Sequence, residues 1–204
     1  MKAYIIRQDL KGIGDRDFFG VQIPYEKNNK IASKLIGTKP HEFSENVVVA
    51  GDWSYFKSND YPYTDLGNTL FSCEMYRIMT EIGLPTHLSS KVFVVSDQMG
   101  LHAVEKLNVQ ESGVPYLENF RLVQFLEYID VFCFEQSEFE RHLAFPEKVG
   151  VIDKLILKQP SLGLPSCFRI YESRSDVFIN QRTKDEFEKQ GVTGIVYEPV
   201  EVRN

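Results

Sequence analysis

The chain has 204 residues, of which 43% are apolar, 13% aromatic and 25% charged, and it carries a formal net charge of −6. A chain of this length buries roughly 70% of its unfolded surface, in one core or two compact halves, and this composition excludes a disordered, collagenous or disulfide-stapled protein. The acidic balance disfavours direct binding to nucleic acid or to an anionic membrane, and no basic run along the chain reverses it.

The first strand is expected over residues 2–7, ended by a turn at 9–14 where Gly12 and Gly14 permit positive φ. The four-residue apolar run within it is too short for a secretory leader, and nothing downstream has the length of a membrane span, so a cytoplasmic protein is expected. Ile31, Leu35 and Ile36 give helical spacing over 28–37, stopped by Lys39-Pro40. Residues 45–53, containing Val47-Val48-Val49, read as a strand. Residues 53–65 read as a polar loop presenting Trp53, Tyr55, Tyr61 and Tyr63, an aromatic cluster that suits either satellite core or an exposed binding surface.

Leu66, Leu70, Cys73, Ile78 and Ile82 predict a helix of about four turns over 66–82, closed by Gly83 and Pro85. Residues 92–95 read as a buried strand, Ser96 or Asp97 as an N-cap, and 99–107 as a helix. The same order recurs at the end of the chain: a strand at 177–179, Asn180 as N-cap, a helix over 181–190, Gly191 as C-cap, and a last strand over 194–202. These two strand-cap-helix units suggest an internal duplication. Between them, 121–125, 128–134, 149–157 and 166–171 read as further strands. Strands in consecutive groups predict an α+β fold with a mixed or antiparallel sheet and a few packed helices, and argue against a doubly wound layout. The chain reads as one domain over 1–204, with 1–110 and 111–204 as the finer division it allows.

Charge is unevenly spread. Residues 111–140 hold seven acids, Glu111, Glu118, Glu127, Asp130, Glu135, Glu138 and Glu140, against the single base Arg121. The same stretch is rich in Phe, Leu, Val and Tyr, so it reads as folded chain with an acidic outer face.

Motifs for catalysis are sparse. His41-Glu42-Phe43-Ser44-Glu45 has Glu where a zinc-protease helix needs its second histidine, and a surface turn explains it better than a metal. Asp15 and Asp17 could flank a magnesium ion, although Asp is also a favoured turn residue. There is no third glycine after Gly12 and Gly14 to complete a dinucleotide fingerprint, no phosphate loop and no GxSxG elbow. Cys73, Cys133 and Cys167 are odd in number and far apart, which fits a reducing compartment and buried, unreactive thiols. No catalytic residue, metal or cofactor is therefore expected. A metal-dependent enzyme using Asp15/Asp17 or His41/Glu42/Glu45, and a small-molecule binding module built on the Trp53 segment, stand as the alternatives.

Several short motifs fall in a definite order: Ile129-Asp130, Ser137-Glu138, Lys154-Leu155-Ile156-Leu157, Phe168-Arg169, and Thr193-Gly194 through Pro199-Val200. With these the chain resembles a bacterial immunity-protein family of polymorphic toxin systems, first catalogued as a domain of unknown function. The match is best over 128–202. The N-terminal half is similar more loosely, through Met1-Lys2-Ala3-Tyr4, Gly51-Asp52-Trp53 and Val94-Val95-Ser96-Asp97. Asn180 stands where the family usually has serine, a change that a helix cap tolerates. The resemblance implies a non-enzymatic cytoplasmic protein that occludes a cognate toxin. If that toxin has a basic active-site cleft, Glu127, Asp130, Glu135, Glu138 and Glu140, with Trp53 and Tyr55, are the candidate contacts.

Overall fold

The computed structural model describes residues 2–11, 20–23, 30–41, 47–99, 109 and 112–204. In chain order these form β1 (Ala3–Gln8), β2 (Gly20–Ile23), α1 (Lys30–Leu35), β3 (Val47–Gly51), α2 (Trp53–Ser58), β4 (Leu70–Ser72), α3 (Cys73–Ile82) and β5 (His87–Ser96). There follow β6 (Tyr116–Phe125), β7 (Glu138–His142), β8 (Phe145–Lys154), β9 (Ile156–Lys158), β10 (Cys167–Phe168), β11 (Val177–Asn180), α4 (Gln181–Gln190) and β12 (Ile195–Arg203). One five-stranded sheet runs β10-β11-β1-β12-β9, a second runs β2-β3-β5-β6-β4, and β7-β8 is a separate hairpin. Mixed sheets with a few helices make the fold α+β.

Both large sheets are built around the same motif. In the second, β4, α3 and β5 form a strand-helix-strand unit whose two parallel strands are separated by antiparallel β6. In the first, β11, α4 and β12 do the same around antiparallel β1. The registers correspond. Leu70 and Ser90 both face Leu122 of β6, as Phe178 and Glu198 both face Ile5 of β1. On the outer flank β3 runs parallel to β5 with Val48 opposite Phe93, and β9 runs parallel to β12 with Ile156 opposite Glu201. Leu70, Ser72, Gly83, His87 and Phe93 thus stand to Phe178, Asn180, Gly191, Ile195 and Glu201 at one constant offset. The counterpart of the strand, cap and helix at 177–190 is therefore β4–α3; of the expected 99–107 helix only Met99 is described, as the end of a 3-10 turn from Asp97.

The two helices form for the same local reasons. The Ser72 hydroxyl accepts the Met75 N–H at 3.0 Å and the Asn180 side chain accepts the Thr183 N–H at 3.0 Å, each satisfying a donor that the first helical turn leaves open. Gly83 and Gly191 close them in left-handed conformation, with their N–H groups returned to helix carbonyls. The apolar stripe of α3 (Met75, Ile78, Met79) and Phe187 of α4 meet Tyr4, Ile6, Val177 and Ile179 of one sheet and Phe71, Val123 and Phe125 of the other in a single buried cluster. The opposite face of the first sheet packs beneath Val131, Phe132, Leu164 and Ile170. In the second sheet, Val47, Val49, Val92, Val94 and Phe120 pack with Leu35 of α1 and Phe56 of α2.

Several expectations need correction. The helix expected over 66–82 begins only at Cys73; residues 70–72 pair with β6, because Leu70 is buried as a strand residue and Ser72 takes the cap position. The expected loop at 53–65 opens as α2, since the Asp52 carboxylate accepts the N–H groups of Ser54 and Tyr55. Residues 128–134 form no strand of their own: Phe132 makes a single bridge to Leu157, flanked by the Cys133 N–H donating to the Ile156 carbonyl and the Lys158 N–H to the Val131 carbonyl, and of 166–171 only Cys167–Phe168 is strand. The expected strand over 149–157 is two strands, β8 and β9. Asp15, Asp17, Glu42 and Glu45, together with Gly12 and Gly14, lie outside the described residues.

The family-like Thr193-Gly194 pair ties the halves together. The Thr193 N–H donates to the Asp60 carboxylate at 2.8 Å and the Thr193 hydroxyl to the Ser58 carbonyl at 2.9 Å. Gly194 has φ +76°, and a Cβ built there would lie 2.7 Å from Asn59 Oδ1, whereas Gly191 at φ +73° has open space around it. Gly191→Ala should cost about 1 kcal/mol, the left-handed penalty alone, and Gly194→Ala should cost more, about 2–3 kcal/mol, because a clash is added. Urea denaturation of both variants checks the order.

Candidate partner-binding surfaces

The acidic stretch is divided by the fold into residues with structural partners and residues without them. Glu127, just after β6, accepts a hydrogen bond from the Thr86 hydroxyl. Glu135 lies 3.5 Å from Lys158 and accepts from the Cys133 thiol at 3.6 Å. Its carboxyl is held below the usual range first by its own backbone N–H, then by Cys133 and Lys158. Asp130, Glu138 and Glu140 are exposed and carry no ion pair among the described residues.

Glu138 and Glu140 sit on β7. Phe139 between them turns inward, edge-to-face with Phe132 at 5.6 Å and Phe134 at 5.8 Å, and Arg141 lies 5.0 Å over its ring. The Ser137 hydroxyl accepts the Ile156 N–H at 3.0 Å and stands 3.1 Å from the Ile156 carbonyl, so the strand enters from a fixed point on β9. Phe139, Val149 and Ile152 seat the base of the hairpin on the first sheet's outer core. Beyond that base, residues 140–147 are all exposed, and at the tip Leu143 is 100% and Phe145 50% accessible. A two-stranded hairpin is marginal in water alone, so its anchored base is what keeps the apolar tip presented.

Trp53 and Tyr55 lie elsewhere. Trp53 donates its indole N–H to the Val94 carbonyl at 3.2 Å, and both residues pack on the second sheet's core. Tyr55 accepts the Tyr63 N–H at 2.9 Å, and burial pushes its phenol up. Tyr61 is fully buried and stacked on Phe71 at 5.4 Å. Trp53 and Tyr55 thus pack on the core of the second sheet, whereas Glu138 and Glu140 lie on β7. Asp52, Trp53, Ser54, Ser96, Asp97 and Gln98 line a hollow of about 550 Å3 at the ends of parallel β3 and β5.

Other motif residues are structural. Phe168 stacks on Phe178 at 5.3 Å. Arg169 is buried, donates to the carbonyls of Leu35 at 3.3 Å and Asn68 at 3.4 Å, and lies 5.0 Å over Phe125. Desolvation lowers its pKa. No basic run marks the chain, yet a local cluster of cations forms: Lys34 and Lys39 on one segment, and Arg174 far from them in sequence, line one hollow with Tyr128 and Tyr171. No linear charge count could have revealed that, and the exposed Leu143-Ala144-Phe145 turn was equally hidden by its charged flanks.

Among the described residues no three His, Cys, Asp or Glu side chains are placed to hold a metal, and no helix is long and apolar enough to cross a membrane. Cys133 and Cys167 are buried, Cys73 partly so, and burial pushes the Cys167 thiol up to about 12. Iodoacetamide should therefore label Cys73 first, with Cys133 and Cys167 modified only on unfolding; mass-spectrometric site mapping checks this. No protein-family model and no curated protein matches this chain.

Proposed function

We propose that the chain is a cytoplasmic immunity protein that binds a cognate bacterial toxin and blocks its active site without catalysing a reaction. The observation that carries this reading is the β7–β8 hairpin: an anchored base, two unpaired carboxylates at Glu138 and Glu140, and an apolar tip at Leu143 and Phe145 exposed to solvent. An exposed apolar anchor with charged side chains beside it, Glu138 and Glu140 together with Arg141 and with Lys148 4.4 Å over the Phe145 ring, is a recognition surface, because the anchor contributes buried area and the charges contribute specificity. The ordered family-like motifs support the same reading, since in this fold they fix the scaffold that carries the hairpin. We also read the matched registers of β4–α3–β5 and β11–α4–β12 as an internal duplication of one scaffold.

The test is co-expression with the product of the neighbouring gene, followed by affinity capture and a rescue assay. The expected result is a stable complex with rescue. Glu138→Lys/Glu140→Lys and, separately, Leu143→Asp/Phe145→Asp should each weaken binding by about 2 kcal/mol or more while leaving the melting temperature unchanged, because all four side chains are exposed. Full protection by both variants would refute the hairpin as the binding element.

A further inference from the structure

A hollow of about 620 Å3 opens between residues 34–41 and the turn at 171–174, lined by Lys34, Lys39, His41, Tyr128, Tyr171 and Arg174 among others. This is within the usual size range of small-ligand sites. Lys34, Lys39 and Arg174 are exposed and carry no ion pair among the described residues, in a chain whose net charge is −6. Unpaired cations converging on one concavity in an acidic protein make a local field that favours an anion.

The walls are held in place. Gln124, fully buried, places its Nε2 within 2.8 to 3.1 Å of the carbonyls of Lys34, Gly37 and Lys39, while its Oε1 accepts the His41 N–H at 3.0 Å. One side chain thus fixes the loop that bears both lysines. Tyr128 donates its hydroxyl to the Ile36 carbonyl, and its ring meets that of Tyr171 edge-to-face at 6.0 Å. Arg174 lies 3.8 Å over Tyr171 and donates Nε to its carbonyl at 3.3 Å. Arg169, held beneath the same loop by its bond to the Leu35 carbonyl at 3.3 Å, adds a buried positive charge. Glu172 lines an adjoining hollow with Lys148 and Arg174.

We propose that this hollow is a binding site for a small phosphate-bearing molecule with a planar ring, of the nucleoside diphosphate class, the cations taking the phosphates and the tyrosine pair taking the ring. Three separated cations suit a polyanion better than a single carboxylate, and guanidinium and ammonium groups both bind phosphate oxygens strongly. The two tyrosines supply an apolar wall that free phosphate cannot use. The site is distinct from the hairpin and does not depend on the toxin-binding reading.

The test is titration calorimetry with ADP and GDP, with adenosine and inorganic phosphate as separate arms and Lys91→Ala, a surface cation on β5, as the charge control. At least one diphosphate should bind, more tightly than either fragment and less tightly as salt rises. Arg174→Ala and Lys39→Ala should each weaken it about tenfold, with the ligand-free melting temperature unchanged and Lys91→Ala neutral. No binding at millimolar diphosphate would overturn the proposal. So would inorganic phosphate binding as tightly as the nucleotides, or a loss from Lys91→Ala equal to that from Arg174→Ala.

Discussion

The architecture depends on one constraint: each strand-helix-strand unit takes the strand that lies between its two parallel strands from the other half of the chain. β1, at the N-terminus, lies between β11 and β12, and β6, from the middle of the chain, lies between β4 and β5. Neither strand-helix-strand unit can satisfy its inward-facing backbone groups without that third strand, and a buried unpaired N–H or C=O is costly. Because β1 precedes and β6 follows the boundary, a cut near residue 110 would break both sheets. The common core of Tyr4, Ile6, Phe71, Met75, Val123 and Phe187 is the packing consequence of this exchange. A chain interlocked in this way gives its surface features a rigid base.

The hairpin and the cationic hollow are both mounted on that base, and each is positioned by a few polar contacts. Ser137 ties the approach of β7 to Ile156, and Gln124 ties the lysine-bearing loop to the second sheet. Such buried or half-buried polar links hold a single geometry, because any other arrangement would leave their partners unsatisfied. The acidic stretch shows the opposite case. Of the five candidate acids, Glu127 and Glu135 are engaged locally, whereas Asp130, Glu138 and Glu140 carry no ion pair among the described residues.

What the sequence made legible was local. β1, β3 and the β11–α4–β12 unit follow from β-branched runs, an Asn cap and a Gly stop, all of which act within a few residues. The start of α3 was misread because Leu66 and Leu70 happen to continue its helical spacing, while the pairing of Leu70 with Leu122 is a long-range fact. Residues 128–134 have strand composition because Val131 and Phe132 are buried against a sheet face, and they touch β9 through a single bridge only. β7, reading Glu-Phe-Glu-Arg-His, has too many charges to announce itself as a strand. The acidic candidates were named from charge, but their division into engaged and free residues, and the basic hollow assembled from three segments, required the tertiary structure.

We propose that the β7–β8 hairpin is the surface through which the chain engages a partner protein. Hydrogen exchange of the chain alone and in complex with the neighbouring gene's product tests it most directly. The expected result is new protection concentrated over residues 138–154, with the interlocked sheets unchanged. Protection confined to other surfaces, with the hairpin exchanging as it does in the free chain, would contradict it.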